Sequence, residues 1–333
     1  MISVELIGLD GRNLLAFLSA VGTHIALDRE ASGVRLSWDP ETFHPTIHLP
    51  PTEGSEPASD ATDWKERQEE RVVDLVRRGL DELAQLTREP RRFLWDNVKN
   101  LSRTEFRQRA LEAAAAEAQG QQPDRTWADF VAGLASDAAG SSKNVEYTAL
   151  CVITGDSHQD FLGFMRDLCE KVTPGHIHAA LFARWRYQDK GRSFRWDATE
   201  DRRYALRASD PSKGRDKEIP SMWGANRLAF EALACLPCHP RGRHLRTTGF
   251  RRERMFHWPL WGPHVTLSTL RSLLGHPAVL HGNVGTLQSM GVFGIASSRR
   301  TSVGRKRTFG PASIWPVPLS AQRLQVPPSR ASE

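Results

Sequence analysis

Cys235-Leu236-Pro237-Cys238 has a metal-ligand spacing, and two thiolates so placed, with His239 and His244 nearby, could grip zinc if further ligands arrived from elsewhere. No second C-x-x-C accompanies it. The apolar neighbours Ala232, Leu233 and Leu236 suggest the end of a buried helix, so core thiols are the simpler reading and no metal is assigned. His176 and His178, after Thr173-Pro174-Gly175, could turn two imidazoles to one side of a strand for metal binding or proton transfer. Without a third ligand at a recognisable spacing, two surface or capping histidines explain them. Ser157-His158-Gln159-Asp160 holds serine, histidine and acid in one stretch, but catalytic triads converge from separate elements, so helix capping is the better account. The phosphate-loop, dinucleotide, zinc-protease and nucleophile-elbow motifs are all absent. The chain therefore reads as non-catalytic and without a cofactor. The enzyme alternative is a metal-dependent hydrolase or nuclease working through His176, His178 and Asp197.

Residues 240–261 carry a different chemistry. Arg241, Arg243, Arg246, Arg251, Arg252 and Arg254 are interleaved with Phe250, Phe256, Trp258 and Trp261. That combination joins phosphate contacts to stacking surfaces for unpaired bases. A second cluster, Arg299, Arg300, Arg305, Lys306 and Arg307, lies in a stretch rich in Ser, Thr and Gly. The competing reading places the aromatics in a core and leaves the arginines as a solvated rim.

The charge distribution favours a polyanion partner. Residues 1–170 carry 18 Lys and Arg against 29 Asp and Glu, and residues 171–333 carry 27 against 10. From 219 to 333 there are 15 basic residues, 14 of them arginine, and three acids. A planar, always-charged guanidinium suits phosphate oxygens bidentately, which points to RNA or single-stranded DNA. Alternatively, the basic half neutralises the acidic half within the fold, or the acidic half meets another protein.

The elements that must position these residues begin with a strand over 2–7 and a helix in which Leu14, Phe17, Leu18, Val21 and Ile25 share a face, capped by Asn13. Strands over 34–38 and 46–49 complete a strand-helix-strand-strand start in residues 1–50. Residues 50–62 read as a loop or linker. An acidic helical insert over 60–140 follows, with Val72, Val76, Leu80 and Leu83 on one helix face, a helix over 105–118, and Trp127, Phe130, Val131 and Leu134 at helical spacing. A basic α+β core spans 145–320, with strands over 147–154, 245–250, 255–260, 285–297 and 307–315 and a hairpin of 193–196 with 203–206. Its helices fall over 160–171, 177–187, 224–236 and 268–274; a charged connector covers 210–220 and a disordered tail 321–333. The fold class is α+β.

The composition of the 333 residues, 39% hydrophobic and 25% charged, excludes collagen, wholesale disorder and a disulfide-stapled mini-protein. No apolar run reaches a membrane span, and the start does not read as a secretory signal. Four irregularly spaced cysteines suggest free thiols, so a cytoplasmic protein is expected.

Three stretches carry a resemblance. They are Leu6-Ile7-Gly8-Leu9-Asp10-Gly11-Arg12-Asn13-Leu14-Leu15-Ala16-Phe17-Leu18-Ser19-Ala20-Val21-Gly22, then Trp223-Gly224-Ala225-Asn226-Arg227-Leu228-Ala229-Phe230-Glu231-Ala232-Leu233, then Leu245-Arg246-Thr247-Thr248-Gly249-Phe250 leading to Trp258-Pro259-Leu260-Trp261. Together they resemble accessory proteins of type I-G (formerly type I-U) CRISPR systems, which include large-subunit-like and helicase-nuclease-associated members. Leu14 stands where that pattern often has proline, and the C-L-P-C stretch lies where it is apolar, which argues against zinc. The resemblance implies a subunit or adaptor of an RNA-guided DNA-targeting defence complex, with other subunits or the helicase-nuclease as partners; it supplies no catalytic residues. In such assemblies guide pairing reads sequence and protein holds backbones and displaced strands. A protein-protein adaptor without nucleic-acid contact is the alternative. Asp10, Asn13 and Asn226 each stand near a predicted helix start, where capping explains them.

Overall fold

Residues 14–27 contain no charged side chain, and the helix they open, α1 (Leu14–Glu30), has no outward face: every residue from Leu14 to Leu27 is buried. The single apolar face that the spacing predicts is therefore a core helix covered all round. Asn13 caps it as expected, its side-chain oxygen accepting the Ala16 amide at 3.2 Å. Its polar residues are satisfied internally. Ser19 donates to the carbonyls of Leu15 at 2.7 Å and Ala225 at 2.9 Å, and His24 Nε2 donates to the Val34 carbonyl at 3.1 Å.

The computed structural model describes residues 1–51, 61–88, 101–119, 122–141, 143–153, 161–200, 220–252, 254–303 and 306–318. It has an α+β architecture with the predicted start. Strands β1 (Ile2–Glu5), β2 (Arg35–Trp38) and β3 (Pro45–Leu49) form an antiparallel sheet of order β1-β3-β2, with Ile2 opposite Leu49 and Arg35 opposite His48. The linker expected over 50–62, for its residues 52–60, and the tail over 321–333 lie outside the described residues.

The helical block supplies α2 (Ala61–Arg88), α3 (Arg103–Ala118) and α4 (Gln122–Leu134). Val72, Val76, Leu80 and Leu83 are buried along α2, as their spacing predicts. The crossing of α2 and α1 is close, because a Cβ added to Gly79 would lie 1.9 Å from the Ala26 carbonyl oxygen. On its other side α1 meets α7 (Trp223–Glu231), where a Cβ on Gly22 would lie 1.8 Å from the Leu228 carbonyl oxygen. A buried charge cluster ties the same three helices. Arg227 pairs with Glu231 at 2.7 Å and donates to the Leu80 carbonyl at 2.8 Å, while Arg29 reaches Glu231 at 3.0 Å and the Gly79 carbonyl at 2.8 Å. Phe17, Val76, Phe130 and Phe230 belong to one buried apolar cluster, so the three stretches of the chain share a core.

The remaining helices are α5 (Phe161–Lys171), α6 (Pro174–Phe182), α8 (Leu267–Gly275), α9 (Pro277–His281) and α10 (Val284–Ser289); α4 is followed by the short pair β4 (Ala135–Ser136) and β5 (Glu146–Tyr147). β6 (Asp189–Lys190) pairs with β7 (Pro220–Ser221), distant in sequence, and β8 (Cys238–Arg241) forms a hairpin with β9 (His244–Thr247). The largest sheet joins β10 (Phe250–Arg251), β11 (Met255–Trp261), β12 (Val292–Val303), β13 (Lys306–Phe309) and β14 (Ser313–Pro316), all antiparallel. The long β12 pairs with β11 on one side and is shared by β14 and β13 on the other.

Several boundaries differ from expectation for local reasons. The strand expected over 285–297 begins as α10, because the Asn283 side chain accepts the Thr286 amide at 3.1 Å; Gly291, at φ +74, precedes β12. The strand expected over 307–315 is two strands separated at Gly310 and Pro311. Among the described residues of the strand expected over 147–154, which are 147–153, only Tyr147 is in a strand. Residues 193–196 are not a strand either, and 203–206, their expected partner, lie outside the described residues.

Candidate nucleic-acid interface

The two arginine clusters are carried by neighbouring hairpins. Arg241 and His244 face each other at the end of β8–β9, with Gly242 at φ +62 and Arg243 between them, and Arg246 lies further along β9. In the next hairpin Arg251 is opposite Met255, and Arg252, at φ +53, and Arg254 stand in the turn. Across β11–β12, Met255 is opposite Arg299, and the Arg300 amide donates to the Arg254 carbonyl at 2.7 Å. Beyond it, Arg300 is opposite Phe309 and Arg307 is opposite Ser302. Strand pairing thus sets Arg251 and Arg254 beside Arg299 and Arg300, while β8–β9, a separate two-stranded sheet, brings Arg241 and Arg246 to Arg300 and Arg307 through a shared cleft.

Three adjoining clefts mark that face. The first, about 820 Å³, is lined by Arg241, Arg246, Arg252, Arg300 and Arg307, together with Glu146, Tyr147 and His244. The second, about 790 Å³, is lined by Arg251, Arg252, Arg254, Arg299 and His257. Arg254, Arg299, Arg300 and Arg307 line the third, of about 500 Å³. Arg252 lines both the first and second, Arg254 and Arg299 the second and third, and Arg300 and Arg307 the first and third.

Some of these side chains are held in place. Arg300 Nη1 donates to the Ala149 carbonyl at 3.0 Å, and its guanidinium lies 6.0 Å from the Phe250 ring centre. Burial raises the Tyr147 hydroxyl above its ordinary range, against the opposing pull of Arg307 and Arg300, so it stays protonated at neutral pH. Burial, then the charge of Arg251, lowers His257, which leaves that ring neutral. Glu146 is largely committed, accepting the Leu245 amide at 2.6 Å and lying 3.7 Å from His244 Nδ1. Among the described residues no carboxylate lies within 4.0 Å of Arg241, Arg243, Arg251, Arg252, Arg254 or Arg299. Glu253, beside Arg252, lies outside the described residues.

The aromatics are elsewhere, which corrects the stacking role expected of Phe250 and Trp258. Phe250 is 3% exposed and Trp258 0%, so neither offers a face to a base. Trp258 packs on Phe17 at 5.7 Å and donates to the Gly11 carbonyl at 2.8 Å; Phe256 and Trp261 are equally buried. The period-2 run Phe256, Trp258, Leu260 signals this inward face. Tyr147 is the aromatic on the first cleft, and nothing local in the sequence marks it, nor Glu146 or His257. Arg243 is exposed at a hairpin tip and lines none of these clefts. Lys306 is placed by its backbone opposite Val303, and Arg305 lies outside the described residues.

The other candidate groups separate. Cys235 is buried and its thiol is pushed up to about 11, chiefly by burial, while Cys238 Sγ turns to the Gly133 carbonyl at 3.4 Å. His176 and His178 lie on α6, not on a strand, so their side chains diverge. His176 is 3.5 Å from Asp189 and His178 is 3.3 Å from Glu69. Asp197 accepts from the Tyr187 hydroxyl at 2.6 Å and the Thr199 amide at 2.8 Å. Among the described residues no group of three His, Cys, Asp or Glu could hold a metal ion. Residues 157–160 lie outside the described residues. Asp10 accepts the Arg12 amide at 2.8 Å and holds its guanidinium. Asn226 is not a cap; buried in α7, it accepts the Phe194 amide at 2.9 Å and fixes the 193–196 segment.

No helix among the described residues is long and apolar enough to cross a membrane. No protein-family model matches the chain, and no curated protein matches it.

Proposed function

We propose that this chain is a non-catalytic, nucleic-acid-binding subunit of an RNA-guided DNA-targeting complex, and that its basic face holds RNA or single-stranded DNA by the backbone. The observation that supports the binding role is that arginines of both clusters line three adjoining clefts around β10–β13. With Phe250 and Trp258 in the core, recognition rests on guanidinium-phosphate contacts, which position a strand without reading its sequence. The assignment to a CRISPR complex rests on the three resembling stretches. These form one packed unit: α1 against α7 through Ser19 and Ala225, and against β11 through Phe17 and Trp258.

The test is fluorescence anisotropy of the purified chain with labelled single-stranded RNA, single-stranded DNA and duplex DNA at low salt. Binding that prefers a single strand and weakens with salt is expected. Absence of binding to all three contradicts the proposal and moves the basic face to an acidic protein partner.

A further inference from the structure

Resting on that nucleic-acid reading, we propose that the first cleft is an end-binding pocket, which receives the terminal phosphate monoester of the strand lying along the basic face.

The cleft differs from its neighbours in how it is built. Its arginines come from three hairpins: Arg241 and Arg246 from β8–β9, Arg252 from β10–β11, and Arg300 and Arg307 from β12–β13. The 145–149 segment, from the acidic part of the chain, supplies a further wall through Glu146, Tyr147 and Ala149. Among the described residues the second cleft lacks that wall and is lined by Arg251, Arg252, Arg254, Met255, His257 and Arg299. A strand following Arg251, Arg254 and Arg299 towards Arg300 therefore meets the 145–149 segment at the first cleft.

The charge there exceeds what one internal linkage needs. A phosphodiester carries one negative charge, whereas a terminal monoester carries about 1.5 to 2 and presents three acceptor oxygens. Five arginines around one concavity match the second ligand. Arg300 is fixed by the Ala149 carbonyl, which lowers the cost of ordering it, and Tyr147 adds a neutral hydroxyl. Glu146, the acid in the lining, is turned to the Leu245 amide and towards His244. The cleft volume of about 820 Å³ leaves room for the terminal nucleotide as well.

The experiment compares three strands of one sequence with the full chain: 5′-phosphorylated, 3′-phosphorylated and hydroxyl-ended. Binding is read by anisotropy at fixed salt. One phosphorylated strand is expected to bind about tenfold tighter than the hydroxyl-ended one, the worth of one charge-assisted hydrogen bond. That advantage is lost in Arg246→Ala and Arg307→Ala. It persists in Arg299→Ala, which weakens all three strands alike. Equal affinity of the three strands for the unmodified protein overturns the pocket and leaves the basic face standing. Competition by a nucleoside monophosphate as effective as the strand also overturns it, because the cleft then serves a free nucleotide. No binding by any strand overturns the reading beneath it.

Discussion

The Arg300 amide donates to the Arg254 carbonyl at 2.7 Å, and this ladder bond joins the two arginine clusters into one surface. Each cluster alone is a hairpin rim. Joined, they concentrate positive charge along β10–β13 while the aromatics between them fill the core.

Arg252 sits at φ +53, a conformation that costs a non-glycine residue about 1 kcal/mol. In Arg252→Gly, relief of that strain offsets the greater freedom of the unfolded chain, so stability should stay within about 1 kcal/mol of the parent. Affinity for single-stranded nucleic acid should nevertheless fall. Denaturant unfolding and anisotropy on the same sample separate the two effects.

Trp258→Ala tests the inward placement of the aromatics. Loss of a buried indole should cost about 3–5 kcal/mol, seen as a lower denaturation midpoint. Binding per folded molecule should be unchanged. A variant of full stability with weakened binding would return Trp258 to the interface.

Gly22→Ala should destabilise by about 3 kcal/mol or more, because the new methyl meets the Leu228 carbonyl oxygen at 1.8 Å between two packed helices. Gly262→Ala, with no atom within 4 Å of the added carbon, should change stability little. Equal midpoints for the two variants would contradict the close α1–α7 crossing.

Acid should weaken the fold before carboxylates protonate widely. Burial lowers His24 and His48 each to about 4, and His264 and Arg35 add repulsion at His48. Both rings are neutral in the folded protein and protonate near 6.5 when unfolded. Their contribution is therefore complete above pH 6.5 and is lost as pH falls towards 4, on the order of 3 kcal/mol for His24 and less for the less deeply placed His48. Denaturation midpoints across that window should report uptake of about two protons on unfolding. His48→Gln, which can still bond to Ser3 and Ser37, should reduce the uptake to about one.

The opening of the fold was legible because an asparagine cap, a long uncharged run and Pro-marked strands coincide around α1. Its burial on every side was not, because Gly22 and Gly79 admit close partners that are distant in sequence. The arginine clusters stand out by composition. Their union was hidden because it depends on the β11–β12 register and on where β12 starts after Gly291. Tyr147 enters the site through a two-residue strand, too short to leave a period in the sequence.

Backbone binding by the basic face is read from the salt dependence of single-strand binding by the parent chain and by the Arg243→Ala, Arg246→Ala, Arg251→Ala, Arg252→Ala quadruple variant. If the six arginines of 241–254 each neutralise a phosphate, they contribute about 4 to the magnitude of the parent's log-log slope, at roughly 0.7 per contact, and Arg299, Arg300 and Arg307 add to it. A slope smaller by about 3 is expected in the variant, with its thermal unfolding unchanged. Identical slopes and affinities for the two proteins would contradict it.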